Sequence, residues 1–213
     1  YSSFGRTGGI VSSNLYNPVP IPLPNFTTIV QNLNTQTNMS SVGIADTMSM
    51  FGDRLQVIVG ARRQQVGADS QTFTPPPSTS HMDRSVWSPG YAVIVKPVEN
   101  VSLYANYIEG LKVPEVVSGA TTYSNVGEII PPAQTKQMEA GAKIDMGRIT
   151  FTGSYFDITA PNAAAVPVPG RLPARRLVGE QRNRGIELYT FGELAPWFRV
   201  LGGVTFIDGE VVS

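Results

Sequence analysis

The amino-acid sequence predicts an all-β fold, an antiparallel up-and-down β-barrel, and three observations lead to this prediction. Apolar residues recur at every second position over about eight to eleven residues in several stretches. Short, turn-prone breaks join these stretches into pairs. Long segments rich in Pro, Ser, Thr, Gly and Ala separate one pair from the next, so that short and long connections alternate strictly.

The composition agrees with this fold class and excludes several functions. The chain of 213 residues has 21 Gly and 17 Pro, which favours strands and loops over helices. Its 16 Lys and Arg balance 16 Asp and Glu, so no overall field attracts nucleic acid, and no nucleic-acid partner is expected. Without cysteine there is no disulfide framework and no thiolate metal site. The sequence has no run of eighteen apolar residues, so no membrane helix is predicted.

The predicted strands form four pairs. In chain order these are Val42 to Met50 with Leu55 to Val66, Val86 to Lys96 with Val101 to Ile108, Thr135 to Asp145 with Ile149 to Ile158, and Gln181 to Phe191 with Phe198 to Ile207. Long loops are predicted for Gly67 to Ser85, Glu109 to Gln134 and Thr159 to Glu180. The opening stretch to about Asn38 is predicted to be a further loop, entered by the tail of a strand at Tyr1 to Phe4.

The two faces of each strand differ in polarity, which indicates two different surroundings. Between Thr135 and Asp145, one face carries Met138, Ala140, Ala142 and Ile144, and the other carries Gln137, Glu139, Gly141, Lys143 and Asp145. Lipid offers no hydrogen bonds, so a membrane-crossing sheet closes on itself and directs apolar side chains outward and polar ones inward. Strands of about ten residues with short turns at one end and long loops at the other are typical of outer-membrane β-barrels.

Parity assigns individual side chains to the two sides of the predicted wall. Ile186 and Leu188 face lipid, and Glu187 faces the lumen. Arg182 shares the lipid-side parity, but it lies at the loop end of its strand, above the hydrocarbon layer. Aromatic residues on or beside the outward parity are expected to form interfacial girdles, namely Trp87, Tyr91, Tyr107, Tyr155 and Trp197.

Several stretches resemble the barrel of TonB-dependent siderophore receptors, particularly the ferrichrome-type group. They are "GDRLQVIVGARRQ" (Gly52 to Gln64), "VSLYANYIEGLKVP" (Val101 to Pro114), "TKQMEAGAKIDMGRITFTGSYFDIT" (Thr135 to Thr159) and "GEQRNRGIELYTFGELAPWFRVLGGVTFID" (Gly179 to Asp208). The resemblance covers Ser41 to Asp208 in order. "SNLYNPVPIP" (Ser13 to Pro22) resembles a loop of the same group more weakly.

The resemblance implies that residues 1–213 are part of the barrel domain of a bacterial outer-membrane receptor. In that family a 22-stranded barrel encloses an N-terminal plug and imports a ferric chelate with energy transmitted by TonB. About eight strands are expected in this chain, whereas the plug domain and the C-terminal strands are expected to be absent. The implied partners are a ferric siderophore, the plug and TonB of the full-length protein, and outer-membrane lipid and lipopolysaccharide.

Four charged residues fall on the predicted lumen face, Arg62, Glu139, Lys143 and Glu187. One interpretation is a polar wall against which a plug docks through ion pairs and hydrogen bonds. The other is a solvated barrel lining stabilised by cross-strand pairs. Both interpretations require an aqueous or protein-filled interior.

The predicted loops offer aromatic and basic side chains that suit a ferric chelate of mixed apolar and anionic surface. These candidates are Phe73, His81, Tyr123, Arg171, Arg175 and Arg176. The stretch "RLPARR" (Arg171 to Arg176) has two alternatives, binding of lipopolysaccharide phosphates or simple solubility of the loop, since arginine binds phosphate in a bidentate manner.

Neither a metal site nor catalysis is predicted. A single histidine cannot build a metal site, and no Asp/Glu cluster at ligand spacing stands near His81, so iron is expected to arrive already chelated and no cofactor is bound directly. No nucleophile elbow or phosphate loop is present, which argues against an enzyme. The competing interpretation is a binding or adhesion module, either a soluble β-sandwich or a complete eight-stranded barrel with long loops.

Overall fold

The computed structural model describes residues 2–5, 16–17, 30–73, 77–118 and 122–212, and their regular secondary structure is entirely β. The strands are β1 (Ser2–Gly5), β2 (Val30–Met50), β3 (Leu55–Thr72), β4 (Ser78–Val98), β5 (Val101–Lys112), β6 (Glu115–Val116), β7 (Ile129–Ile130), β8 (Ala133–Asp145), β9 (Ile149–Val166), β10 (Ala174–Ala195) and β11 (Phe198–Val212). No described helix is long and apolar enough to cross a membrane.

Nine strands form one antiparallel sheet in the order β1-β2-β3-β4-β5-β8-β9-β10-β11, and β6 pairs with β7 in a small second sheet. The main sheet contains all eight predicted strands, and β1 is the predicted strand tail at the start of the chain. Each strand pairs with its sequence neighbour, apart from the step from β5 to β8. The prediction of an up-and-down meander is therefore confirmed.

Short turns lie at one end of the sheet, hereafter the turn end, and long connections lie at the other, the loop end. The turn between β2 and β3 has positive φ at three consecutive residues, Phe51, Gly52 and Asp53. Its side chains are exposed, and a Cβ at Gly52 would contact nothing within 4 Å. Alternation of turns and loops at opposite ends was predicted from the order of the strand pairs.

The loop predictions were partly wrong, because most strands continue beyond the apolar alternation. The predicted loop from Gly67 to Ser85 is largely β-ladder, in which Gly67 pairs with Asp83 and Asp69 with His81. The predicted loop from Thr159 to Glu180 is likewise mostly strand. The opening loop ends at Val30 rather than near Asn38, and residues 6–15 and 18–29 of it lie outside the described residues. Backbone pairing persists in water without any apolar face, so the period-two signal disappears before the strand does.

Residues paired across successive strands form rungs whose side chains share a face. One rung runs Val57, Val93, Ala105, Ala140, Tyr155, Ile186 and Phe206. This apolar face is exposed, with Ile186 at 49% and Phe206 at 63% of their full accessible surface. Asp46 is an exception on it, and its carboxylate accepts a hydrogen bond from the amide of Thr47 at 2.9 Å. The opposite face, the polar face, carries Glu139 and Glu187.

The apolar band crosses the rungs obliquely. On β3 the first outward charge toward the loop end is Arg63, eight positions beyond Leu55. On β10 it is Arg184, only four positions beyond Leu188, although Leu55 and Leu188 lie on the same rung. Strands tilted against the membrane normal produce this offset, because a band of constant height then meets each strand at a different rung.

The soluble alternatives do not fit this arrangement. Within the described residues no second sheet packs on the apolar face, whereas a β-sandwich buries that face. A complete eight-stranded barrel requires the first and last strands to pair, but β1 and β11 stand at opposite ends of the strand order. The predicted girdle residues Trp87, Tyr91, Tyr107 and Tyr155 share the apolar face, where the rings of Tyr91 and Tyr107 stack at 6.4 Å.

Candidate functional site

Two carboxylates lie on either side of β9 on the polar face. Glu139 is paired across the sheet with Phe156, and Glu187 with Ser154. The Tyr104 hydroxyl donates to Glu139 Oε1 at 2.6 Å, and the Thr205 hydroxyl donates to Glu187 Oε1 at 3.5 Å. Both carboxylates line one cavity of about 350 Å³. We call Glu139 and Glu187 the acidic patch.

Glycines opposite the aromatic residues keep the polar face flat. A Cβ at Gly141 would stand 2.7 Å from Tyr104 Cζ, and one at Gly185 would stand 2.9 Å from Phe156 Cζ. Each ring therefore lies over the glycine that it pairs with on the neighbouring strand. Rings placed in this way do not project far from the sheet, so the space in front of the acidic patch stays open.

The four residues predicted to line the lumen share the polar face by their cross-strand pairing. Glu139 and Glu187 come together in the acidic patch, and Lys143 lies four residues nearer the turn end than Glu139, where it pairs with Thr152. Arg62 is three strands away on β3, opposite Ser88. The structure therefore divides this set into an acidic region and two separate cationic positions.

The structure describes residues 113–118 and 122–132 of the connection between β5 and β8. These residues contact the hairpins on both sides, and we call them the bridging loop. Its buried apolar residues are Ile130, which belongs to β7, and Val117, which directly follows β6. Gly127 has φ of +86°, and a Cβ there would stand 2.5 Å from Thr72 Cγ2 on β3. Because Thr72 belongs to the polar face, the bridging loop packs on that side of the β3–β4 hairpin.

On its other side the bridging loop is bound to the start of β10. The Asn125 side chain donates to the backbone oxygen of Arg175 at 2.9 Å and accepts from its backbone N–H at 2.9 Å. The Arg175 guanidinium donates to both carboxylate oxygens of Glu115 at 2.8 and 3.3 Å. It also lies 5.8 Å from the centre of the Tyr123 ring. The hydrogen bond to Glu115 raises the pKa of Arg175.

Five of the six predicted ligand residues lie in the bridging loop or on the segments that adjoin it. Tyr123 is half-buried within it and Arg175 contacts it directly. Arg171 lies in the turn of the β9–β10 hairpin, Arg176 is exposed beside Arg175, and Phe73 follows Thr72 at 40% exposure. The turn is tied to the loop, since the amide of Ser124 donates to the oxygen of Pro173 at 2.9 Å.

His81 lies apart from this group. It pairs with Asp69 on the face shared with Trp87 and Tyr91, and its Nδ1 lies 2.7 Å from Asp69 Oδ1. The side chain is 68% exposed. The hydrogen bond and charge of Asp69 raise the pKa of His81, with a smaller contribution from Asp83. His81 therefore belongs to the outer surface of the extended β3–β4 hairpin.

Sequence reasoning did not find Glu115, Asn125 or Tyr104. Asn125 and Arg175 are separated by 50 residues, and Glu115 and Arg175 by 60, so only the folded sheet brings them together. Tyr104 was detectable in principle, because it shares the polar parity with Asn106 on β5. Among the described residues no three His, Cys, Asp or Glu side chains are grouped as metal ligands.

Charges appear abruptly on the apolar face toward the loop end. Arg182 donates to both carboxylate oxygens of Asp157, whose side chain is only 10% exposed. Arg184 pairs with Asp208 at 3.2 Å and Glu210 at 3.3 Å. These five residues form the charged cluster. The outward parity of Arg182 at the loop end is as predicted, and the structure adds that its charge is paired.

Comparisons with known proteins agree on one family. A family model described as TonB dependent receptor-like, beta-barrel matches residues 2–212. The ferrichrome receptor FcuA of Yersinia enterocolitica is 35% identical over 96% of this chain and 28% of its own length. The chain therefore spans less than a third of that relative.

Solved structures have the same fold. The crystal structure of BauA, the ferric preacinetobactin receptor from Acinetobacter baumannii, matches with a TM-score of 0.73 and 39% identity over 93% of this chain and 29% of that one. The ferric-catecholate import receptor Fiu of Escherichia coli K12 matches with a TM-score of 0.76 at 17% identity, over 99% of this chain and 33% of that one.

Proposed function

Because the chain belongs to the family of TonB-dependent receptor-like β-barrels, we propose that the protein containing it imports a ferric siderophore across the bacterial outer membrane. The observation that carries this proposal is the sheet itself. Its exposed apolar face suits lipid, and its flat polar face suits a water- or protein-filled interior. Iron enters this scheme as cargo within its chelate and not as a resident cofactor.

The ligand would bind at the loop end, against the bridging loop and the β9–β10 turn. Tyr123 offers a ring to apolar or aromatic parts of the chelate, and Phe73 offers a second ring beside Thr72. Arg171 and Arg176 offer cations to its anionic groups. Arg175 contributes differently, because Glu115 already occupies its guanidinium.

The polar face would contact the plug domain of the full-length protein. The acidic patch offers two carboxylates to cationic or hydrogen-bonding groups of a plug, whereas Arg62 and Lys143 offer cations elsewhere on the wall. In this family TonB supplies the energy for plug movement. Contacts of this kind at a hydrated wall are weak enough individually to be exchanged during transport.

The apolar face would contact outer-membrane lipid, and the charged cluster would lie at the level of lipopolysaccharide headgroups. Its Arg182 is already paired with Asp157, so the cluster offers little free positive charge to phosphate. Arg171 and Arg176, which form no ion pair among the described residues, are better suited to phosphate if the loop reaches the membrane surface.

A binding titration of the full-length receptor tests the transport proposal. We expect saturable quenching of tryptophan fluorescence by at least one member of a panel of hydroxamate, catecholate and mixed ferric chelates, and none by the iron-free chelators. We expect Tyr123→Ala and Arg171→Ala each to weaken that binding by roughly tenfold. His81→Ala is the matched control, because His81 lies on the other face. No response to any ferric chelate would refute the proposal.

A further inference from the structure

We propose that Asn125, Glu115 and Arg175 are positioning residues that hold Tyr123 and the bridging loop in the ligand-binding arrangement before the chelate arrives. This inference rests on the proposed function and identifies what sets the geometry of its site. None of the three need touch the ligand. They act on Tyr123, which lies two positions before Asn125 and beneath the Arg175 guanidinium.

Asn125 substitutes for a strand partner at the start of β10. Its amide makes two hydrogen bonds with the backbone of Arg175 and a third with Glu128 Oε2 at 2.8 Å. The oxygen accepts and the nitrogen donates twice, so three of the four hydrogen-bonding positions of the amide are used. Alanine would remove all three bonds and leave a backbone N–H and C=O of Arg175 without these partners.

Arg175 transmits this attachment to Tyr123. Its backbone is bound by Asn125 and its side chain by Glu115, whose two carboxylate oxygens receive a forked pair of hydrogen bonds. The guanidinium plane is thereby fixed where it covers the tyrosine ring. One residue thus joins positions 115, 123 and 125 of the bridging loop to β10.

The opposite side of the loop is fixed by close packing. Gly127 approaches Thr72 and Ser78 so closely that no side chain would fit, and its positive φ suits glycine. A loop attached to two neighbouring hairpins loses little further conformational freedom when it binds a ligand, which favours affinity. Loosening it reduces the fraction of receptor that is ready to bind, and the apparent affinity falls by the same factor.

The test is Asn125→Ala in the full-length receptor, with the ferric chelate that quenches tryptophan fluorescence. We expect roughly tenfold weaker binding, expressed mainly in a slower association rate. Amide hydrogen exchange of residues 122–130 should accelerate, while the midpoint of global unfolding is unchanged. Ser124→Ala is the matched control, because Ser124 binds Pro173 through its backbone amide and should retain wild-type values.

A second variant separates positioning from a merely structural role. If Asn125 acts through Tyr123, the double variant Asn125→Ala/Tyr123→Ala should bind no more weakly than Tyr123→Ala alone. Losses that multiply, or wild-type affinity in Asn125→Ala despite faster exchange, would overturn this inference alone. An unsubstituted receptor that binds no ferric chelate would overturn the proposed function, and this inference with it.

Discussion

The turn-side and loop-side parts of the sheet are built from the same ladder but are stabilised differently. From Ile186 to Gly192, the positions of β10 on the apolar face are Ile186, Leu188, Thr190 and Gly192, and none of them is charged. From Ala174 to Arg184 it is held by Asn125, Glu115 and Asp157. The comparison teaches that the surroundings, rather than the backbone, decide which side chains a strand carries.

The largest effect should come from moving a charge across the boundary between these parts. Val93→Arg places a cation on the apolar face between Val57 and Ala105, and we expect it to lower the unfolding free energy of the receptor in lipid vesicles by about 2–4 kcal/mol. Thr79→Arg, on the same strand and face beyond the apolar band, should change it by less than about 0.5 kcal/mol. Urea titration measures both, and equal effects would contradict a lipid boundary.

The polar face should respond to volume rather than to charge. Gly185→Ala would place a Cβ in steric clash with the Phe206 backbone oxygen and against the Phe156 ring, so we expect the unfolding free energy to fall by about 1–3 kcal/mol. Gly43→Ala, which is also on the polar face, meets nothing nearer than 3.7 Å and should be neutral to within about 0.5 kcal/mol. Heat-induced changes in electrophoretic mobility rank the two variants, and a neutral Gly185→Ala would show that the rings do not lie as described.

Ion pairs of the loop side should have smaller, graded effects. Asp157→Asn leaves Arg182 without its charged partner. Because that carboxylate is nearly buried, we expect the unfolding free energy to fall by an amount at the upper end of the range for surface ion pairs. Asp208→Asn removes a carboxylate that is 71% exposed and should cost less. Unfolding titrations at low and high salt measure both, and identical losses would mean that burial does not strengthen the pair.

The smallest effect is a local dependence on pH at His81. Asp69 raises the pKa of His81 above the ordinary 6.5. The pair therefore stabilises the β3–β4 hairpin fully at a pH below the pKa of His81 in the unfolded chain. This stabilisation is lost as the pH rises through the higher pKa of His81 in the folded protein. We expect Asp69→Asn to return the pKa toward its ordinary value, as followed by NMR of labelled histidine assigned with His81→Gln. A titration unchanged by Asp69→Asn would refute the pairing.

The same contrast explains how much of the molecule was predictable from sequence. On the turn side, alternation located every strand and assigned Glu139, Lys143 and Glu187 to one face. A sheet with lipid on one side carries apolar residues at every second position, and this period is visible in the sequence. On the loop side, water surrounds both faces, and the strands were taken for loops. Once β4 is known to continue, parity with Trp87 places His81 on the outer surface. The Asn125 contacts required the folded sheet, since no local pattern encodes a partner 50 residues away.

Because the apolar band runs obliquely, residues paired across the strands do not lie at the same height relative to that band. Val59 and Arg184 occupy one rung, yet the first lies within the apolar band and the second just beyond its loop-side limit. Each successive hairpin along the rung contributes residues that lie further from its own turn. The tolerance of any position to substitution is therefore set by its height above the turn of its own hairpin, and a residue directly across the ladder is a poor guide to it.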